Sequence, residues 1–416
     1  IVERADGAAM SRFRYAKHEI FDGAPEMRGL PHVRGGGQTL EITLKDDFSD
    51  TEIALEYTAY DDSDVLARGA KIKNTGKAAN VLKKAFSFCV DLGAGDYRLL
   101  RLYGNWAAER SPVISPIEQG ITRLQSLRGE SSHQMNPFAA VLGANCTEES
   151  GVCYGAQLVY SGSFAITAEK SFNGSVRLQG GVNDTNFAWT LGAGESFTAP
   201  QALLCYSDNG LGELSRQYAD FLRGHVINPQ TVYKRRPIVV NNWEATYFDF
   251  DTDKLFAIID EAAKLGVDTF VLDDGWFGAR NDDTAALGDW FVNEKKLRGG
   301  LQAVIERCKQ NGMKFGLWFE PEGLSENSDL FRAHPDWAIG RDGVEPCRPR
   351  NQLVLDFTRK EVVDYIFSAV SKILSEYEIS YVKWDFNRSI SENYSRAARE
   401  QGGFSHRYIL GVYDLA

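Results

Sequence analysis

Along the second half of the chain the hydrophobic positions switch between two periods. The runs Pro237-Ile238-Val239-Val240, Thr269-Phe270-Val271-Leu272, Lys314-Phe315-Gly316-Leu317 and the stretch leading through Tyr381-Val382 are short, β-branched or aromatic, and predict buried strands. Between them, Leu255, Phe256, Ile258, Ile259, Ala262, Ala263 and Leu265 recur at helical spacing and stop at Gly266. Leu301, Val304, Ile305 and Cys308 repeat the pattern and stop near Gly312. A third helix opens on a capping box, Thr358 with Glu361, and runs through Val362, Tyr365, Ile366, Ala369, Ile373 and Leu374. A fourth starts around Ser405, with Tyr408, Ile409, Val412 and Leu415 on one stripe. Strand and helix in strict alternation predict parallel, right-handed β/α units.

The first 210 residues follow a different rule. Thr39-Leu40-Glu41-Ile42-Thr43-Leu44, Ile53 to Tyr60 and Ala70-Lys71-Ile72-Lys73-Asn74 alternate apolar with polar and are separated by Gly, Asp and Asn turns, the pattern of an antiparallel sandwich. Leu211, Leu214, Tyr218, Phe221 and Leu222 form one helical stripe before the basic connector Lys234-Arg235-Arg236. The expected fold class is thus a multidomain β plus α/β protein: a β-sandwich over 1–210, a helical linker over 211–236, and four β/α units over 237–416. A closed (β/α)8 TIM barrel has eight units in roughly 250 residues, so the stretch after Pro237 has room for about half of one. The expectation is a fragment holding the first half of the barrel, with a truncated start at Ile1.

Every one of the four strands turns polar at its C-terminal end. The first runs into Asn241-Asn242-Trp243-Glu244, the second into Asp273-Asp274-Gly275-Trp276, the third into Trp318-Phe319-Glu320-Pro321-Glu322, and the fourth into Lys383-Trp384-Asp385-Phe386-Asn387-Arg388. In a β/α barrel that end carries the active site. Asp385 is the candidate nucleophile: Lys383 nearby favours its ionised form, and Trp384 and Phe386 limit water around it. The competing reading is a strand-end Asp that caps a helix. Glu320 and Glu322 are expected to tie the third strand to its loop, and Asp356 to cap a helix or support Arg350.

Charge and composition narrow the partners. With 46 Lys and Arg against 57 Asp and Glu the net charge is −11, which argues against nucleic acid or an anionic membrane surface. No apolar run reaches the roughly 18 residues of a membrane span. The six Cys are scattered and read as reduced core residues of a cytoplasmic protein, with secretion left open because the native start need not be Ile1; Cys146 and Cys153 flank a turn and could pair in an oxidising compartment. No metal and no cofactor is expected: His pairs at ligand spacing and phosphate-cradling loops are both missing, and Asp273-Asp274 alone is a poor magnesium site. Carboxylates, amides and tryptophans at one mouth suit a neutral polyol, whose hydroxyls donate to carboxylates and whose apolar ring face packs on indole.

The motifs Asn242-Trp243-Glu244-Ala245, Leu272-Asp273-Asp274-Gly275-Trp276-Phe277, Leu317-Trp318-Phe319-Glu320-Pro321-Glu322, Arg350-Asn351-Gln352-Leu353-Val354-Leu355-Asp356 and Lys383-Trp384-Asp385-Phe386-Asn387-Arg388 resemble those of glycoside hydrolase family 36 α-galactosidases. So do Gly104-Asn105-Trp106-Ala107-Ala108-Glu109-Arg110 and Ser126 to His133 in the sandwich. The resemblance implies a retaining hydrolase of terminal α-linked galactose in oligosaccharides such as melibiose and raffinose. It implies Asp385 as nucleophile, Asp273 and Asp274 on the 4- and 6-hydroxyls, and Trp243 and Trp318 as walls of the sugar. Arg350, Lys383 and Asn387 would meet hydroxyls near the reacting carbon. The general acid/base would be an Asp from a later barrel strand, beyond Ala416, so residues 1–416 alone are expected to be inactive. The family also implies a homo-oligomer, commonly a tetramer. Alternatives are an α-N-acetylgalactosaminidase, a galactosyl transglycosylase, or a noncatalytic sugar-binding homologue.

Overall fold

In the computed structural model, which describes residues 1–416, the chain separates into two units: 1–233 with 400–413, and 234–399 with 414–416. The first is β-rich. Nine antiparallel strands form one sheet, in which Gln38–Asp46, Thr51–Tyr60, Ser63–Asn74 and Ser196–Ser207 are successive neighbours. Four more, Gly120–Gln125, Phe164–Lys170, Val176–Val182 and Phe86–Leu92, form a second sheet. Inward residues of both, among them Leu99, Val141 and Phe197 from the first and Leu124, Ile166 and Leu178 from the second, share one buried core. The alternation read from the sequence marks the covered face in Ser63–Asn74, where Ala70 and Ile72 are buried and Lys71 and Lys73 exposed. In Gln38–Asp46 and Thr51–Tyr60 the expectation reverses: Thr39, Thr43, Glu56 and Thr58 are buried, and Leu40, Ile42, Ile53 and Leu55 only partly so.

Two helices depart from the expected division. The stripe expected as a linker is the helix Gly210–His225, and its Leu214, Tyr218 and Phe221 are buried in a core with Leu142, Cys153 and Leu203 of the nine-stranded sheet. The Tyr218 hydroxyl donates to the Leu203 carbonyl at 3.1 Å. It is thus part of the β-rich unit. The helix Phe404–Leu415, expected to complete the fourth β/α unit, groups through Tyr413 with the same unit. Ile409 joins its core, and His406 packs against Trp189 and Phe197 with its Nδ1 2.9 Å from the Tyr160 hydroxyl. Full burial drives the His406 pKa down to about 3, so it sits there as a neutral ring.

The second unit holds a parallel sheet of four strands in sequence order: Val239–Asn241, Thr269–Leu272, Lys314–Phe319 and Tyr381–Trp384. Its connecting helices lie close to the predicted ones. Thr252–Lys264 is capped by Asp251, whose side chain accepts from the Lys254 N–H, and Gly300–Gln310 is followed by Gly312 at φ 69°. The third, Lys360–Glu376, has Arg359 rather than Thr358 at its N-cap. Thr358 instead donates its hydroxyl to Asp356, which also accepts the Thr358 backbone N–H at 3.1 Å. The expected capping box is therefore replaced by a local turn on Asp356, because that carboxylate competes for the same hydroxyl.

Candidate active site at the ends of the parallel strands

The second strand is buried at all four positions, so the two residues that follow it emerge with little water around them. Asp273 is 2 % exposed and Asp274 5 %. A buried carboxylate needs compensating donors or cations, and each of this pair has its own set. The Asp273 backbone N–H donates to Asn242 Oδ1 at 2.9 Å, which ties the second strand to the end of the first. Its Oδ1 accepts the Asp274 N–H at 2.9 Å, and its Oδ2 accepts Lys383 Nζ at 2.8 Å from the fourth strand. Asp274 is gripped by Arg280: Nε lies 3.0 Å from Oδ1 and Nη2 2.9 Å from Oδ2. Burial nonetheless raises the Asp274 carboxyl above its usual range, with Arg280 pulling the other way.

Gly275 makes the turn after this pair at φ 107°. A Cβ there would meet Lys296 Nζ at 3.1 Å and the Phe250 ring at 3.1 Å, so the close approach requires glycine. Lys296 donates to the Gly275 carbonyl at 3.1 Å and lies 4.0 Å from the centre of the Phe250 ring. Its partial burial lowers its pKa to about 8.

Asp385 stands at the end of the fourth strand. Its backbone N–H donates to the Phe319 carbonyl at 2.9 Å, and its Oδ2 accepts the indole N–H of Trp318 at 3.2 Å. Two expectations change here. Lys383 shares a strand face with Asp385, but its long side chain reaches across to Asp273 rather than to Asp385. Trp318 is only 1 % exposed and stacks on Phe277 with ring centres 6.0 Å apart, so it holds the Asp385 carboxylate and does not offer an open ring face. Its own carbonyl accepts the Trp276 indole N–H at 2.9 Å.

Behind Asp385 lies Glu322, fully buried, with one oxygen accepting the Trp384 indole N–H and the other the Asn387 backbone N–H, each at 3.0 Å. It clamps both flanks of Asp385, at the end of the fourth strand, to the segment after the third strand, and not the third strand to its own loop as expected. Burial, then the neighbouring Glu320, pushes its carboxyl well upward. Glu320 is raised to about 7, again chiefly by burial, with the Asn387 side chain and Arg350 opposing the shift and Asp274 and Asp385 adding to it. The structure therefore gathers Asp273, Asp274, Trp318, Lys383, Asp385 and Asn387, as the sequence suggested. Trp243 is half-buried beside them, edge-on to Tyr247 and Phe248, one residue after Asn242. Arg350 is exposed and holds a left-handed backbone, φ 59° and ψ 26°, in the loop before Leu353–Val354.

Arg280 is the main residue of the site that no sequence motif singles out. A signal for it existed: two adjacent buried carboxylates call for two cations, and Lys383 supplies only one. Lys296, which also faces Asp274, carries no sequence signal of its own.

The fold and this arrangement match known proteins across the chain. A family model described as Melibiase matches residues 196–416, and one described as the glycosyl hydrolase family 36 N-terminal domain matches residues 1–192. The chain belongs to glycosyl hydrolase family 36. It is 44 % identical over its whole length to the bifunctional alpha-galactosidase/sucrose kinase AgaSK of Mediterraneibacter gnavus, covering 44 % of that protein. It is 43 % identical to the alpha-galactosidase Mel36A of Lactobacillus acidophilus, again over all of this chain and 58 % of that one. The crystal structure of the alpha-galactosidase AgaA from Geobacillus stearothermophilus superposes with a TM-score of 0.97 at 41 % identity, covering all of this chain and 58 % of that one. Variants of AgaA have been crystallised in complex with raffinose and with stachyose. The chain thus spans about half the length of the curated relatives it matches.

Proposed function

We propose that the protein carrying this chain is a retaining exo-α-galactosidase that removes terminal α-linked galactose from oligosaccharides of the raffinose and melibiose type. The reading rests on the Asp273–Asp274 pair, two adjacent buried carboxylates each held by a separate cation, at the same strand ends that hold Asp385. Galactose offers an axial 4-hydroxyl beside its 6-hydroxyl on one ring edge, which two adjacent acceptors can take together. The raffinose and stachyose complexes of the Geobacillus relative support the substrate class.

In this reading Asp385 attacks the anomeric carbon as the bond to the leaving oxygen breaks, giving a covalent galactosyl ester that water then hydrolyses with net retention. Trp318 stabilises the Asp385 carboxylate and fixes its orientation through the indole N–H. Trp243 packs on the sugar, while Lys383, Arg350 and Asn387 serve hydroxyls near the reacting carbon. The acid/base partner must lie about 5 to 5.5 Å from the nucleophile. Family resemblance assigns that role to an Asp of a later barrel strand, and Glu322, both of whose oxygens accept N–H bonds, is a poor substitute. We infer likewise that the four parallel strands and the helices between them are the first half of a (β/α)8 barrel and that the two antiparallel sheets form a sandwich.

The test is selectivity. Catalytic efficiency is measured on aryl α-galactoside and aryl α-glucoside for the full-length enzyme and for Asp273→Asn and Asp274→Asn. Each substitution weakens a charge-assisted hydrogen bond and should cost on the order of 1.5 to 3 kcal/mol of transition-state binding. The equatorial 4-hydroxyl of glucose leaves a buried carboxylate poorly paired, so the parent should reject the glucoside. Equal efficiency on both sugars in the parent would sink the reading.

A further inference from the structure

Asp274 is held differently from its neighbour. Lys383 reaches Asp273 from another strand, as a single point charge. Arg280 comes from the loop that follows Asp274 itself, is 1 % exposed, and uses a flat fork: Nε and Nη2 on the two carboxylate oxygens, with Nη1 donating to the Ala285 carbonyl at 2.9 Å. The fork is itself fixed from behind, since the Arg280 carbonyl accepts Lys296 Nζ at 3.4 Å and the Phe248 ring lies 5.4 Å from the guanidinium carbon. Arg280 Nε also lies 3.3 Å from Oδ2, so the fork spans both Asp274 oxygens and fixes the plane in which the carboxylate meets a ligand.

The charged groups that face Asp274 are Arg280 and Lys296 from its own loop region, Asp273 beside it, and Glu320 from the third strand. Burial and then Asp273 favour a protonated Asp274, while Arg280 and, less strongly, the Gly275 backbone N–H oppose it. A protonated Asp274 would donate one hydrogen bond and lose half of its value as an acceptor for sugar hydroxyls.

Building on the α-galactosidase reading, we propose that Arg280 is a positioning residue that keeps Asp274 aligned as a two-oxygen acceptor and so determines selectivity for galactose. It touches the carboxylate and not the sugar. Its loss should therefore change recognition through Asp274, with Asp385 left in place.

The experiment uses the full-length enzyme with Arg280→Ala and Arg280→Lys. In Arg280→Ala, kcat/KM for aryl α-galactoside should fall by at least about tenfold, as for loss of a charged hydrogen-bond partner. The acid limb of its pH profile should move up by about one unit, and added guanidinium chloride should restore part of the activity. Arg280→Lys keeps a charge but not the fork, so its acid limb should stay near that of the parent while its galactoside-to-glucoside preference drops. A folded Arg280→Ala enzyme with an unmoved acid limb and no response to guanidinium would overturn the proposal. If the alanine variant does not fold, parent-like efficiency and preference in Arg280→Lys would overturn it. Turnover of the α-galactoside by the parent tests the functional reading separately. If that turnover is missing, galactose affinity by calorimetry still decides the role of Arg280, since equal affinity in parent and Arg280→Ala would contradict it.

Discussion

Arg177 in the β-rich unit and Arg280 in the parallel-sheet unit grip their aspartates with the same two nitrogens. Arg177 Nε and Nη2 lie 2.7 and 2.8 Å from the oxygens of Asp91, against 3.0 and 2.9 Å for Arg280 and Asp274. Side chains of the first pair are 51 % and 61 % exposed, and those of the second 1 % and 8 %. The hydrogen bond from Arg177 lowers the Asp91 carboxyl, whereas burial raises Asp274 in spite of Arg280. With the geometry matched, the surroundings decide the outcome. On the surface water can replace either partner, and the ion pair is nearly dispensable. In the interior the loss of one partner strands the other without solvation, so the pair is coupled to whatever binds there.

A substitution in the exposed pair separates the two environments. Arg177→Met should leave activity unchanged and shift the thermal midpoint too little to resolve, and added salt should erase any remainder. The interior should behave otherwise at several points. Trp318→Phe removes the indole donor to Asp385 and should lower kcat by about tenfold with a smaller change in KM. An effect on KM alone would mean that Trp318 serves binding and not the carboxylate.

Glu320 gives the interior a pH signature. Its carboxyl is raised to about 7, so between its unfolded pKa of 4.5 and about 7 the folded state holds a proton that the unfolded state has lost. The contribution is present below pH 4.5 and fades as pH rises through 7. Glu320→Gln removes it, and the stability of that variant relative to the parent should improve by about 3 kcal/mol from pH 4.5 to pH 7.5. Denaturant midpoints at the two pH values check this; a difference that does not vary with pH would place the Glu320 carboxyl elsewhere. Below these in size falls the Arg177→Met effect, the smallest of the set.

How much of this could be read from the sequence follows the same division. The strands and the polar residues at their ends were legible because apolar runs that turn acidic and aromatic leave a local mark. Asp273, Asp274 and Asp385 were found that way. The partners were harder to read. Strand period sets Lys383 beside Asp385, yet a four-carbon stem reaches the next strand but one, and only the sheet order Thr269–Leu272, Lys314–Phe319, Tyr381–Trp384 shows which carboxylate it meets. A tryptophan at a strand end does not announce its burial, so the sequence does not show that the Trp318 ring is covered. The helix Phe404–Leu415 shows the same limit: its stripe told that one face is covered, but a 3.6-residue period carries no information about which unit covers it.

In the proposed reaction Asp385 attacks the sugar at the site defined by Asp273 and Asp274, and one variant tests this attack directly. In the full-length enzyme Asp385→Ala should lose at least about 10³-fold in turnover of an aryl α-galactoside, because no other group can form the covalent intermediate. Added azide should then restore part of the rate by attacking the anomeric carbon from the vacated face, with β-galactosyl azide as the product identified by proton NMR. Near-parent hydrolysis by Asp385→Ala, or an azide product of α configuration, would contradict the account.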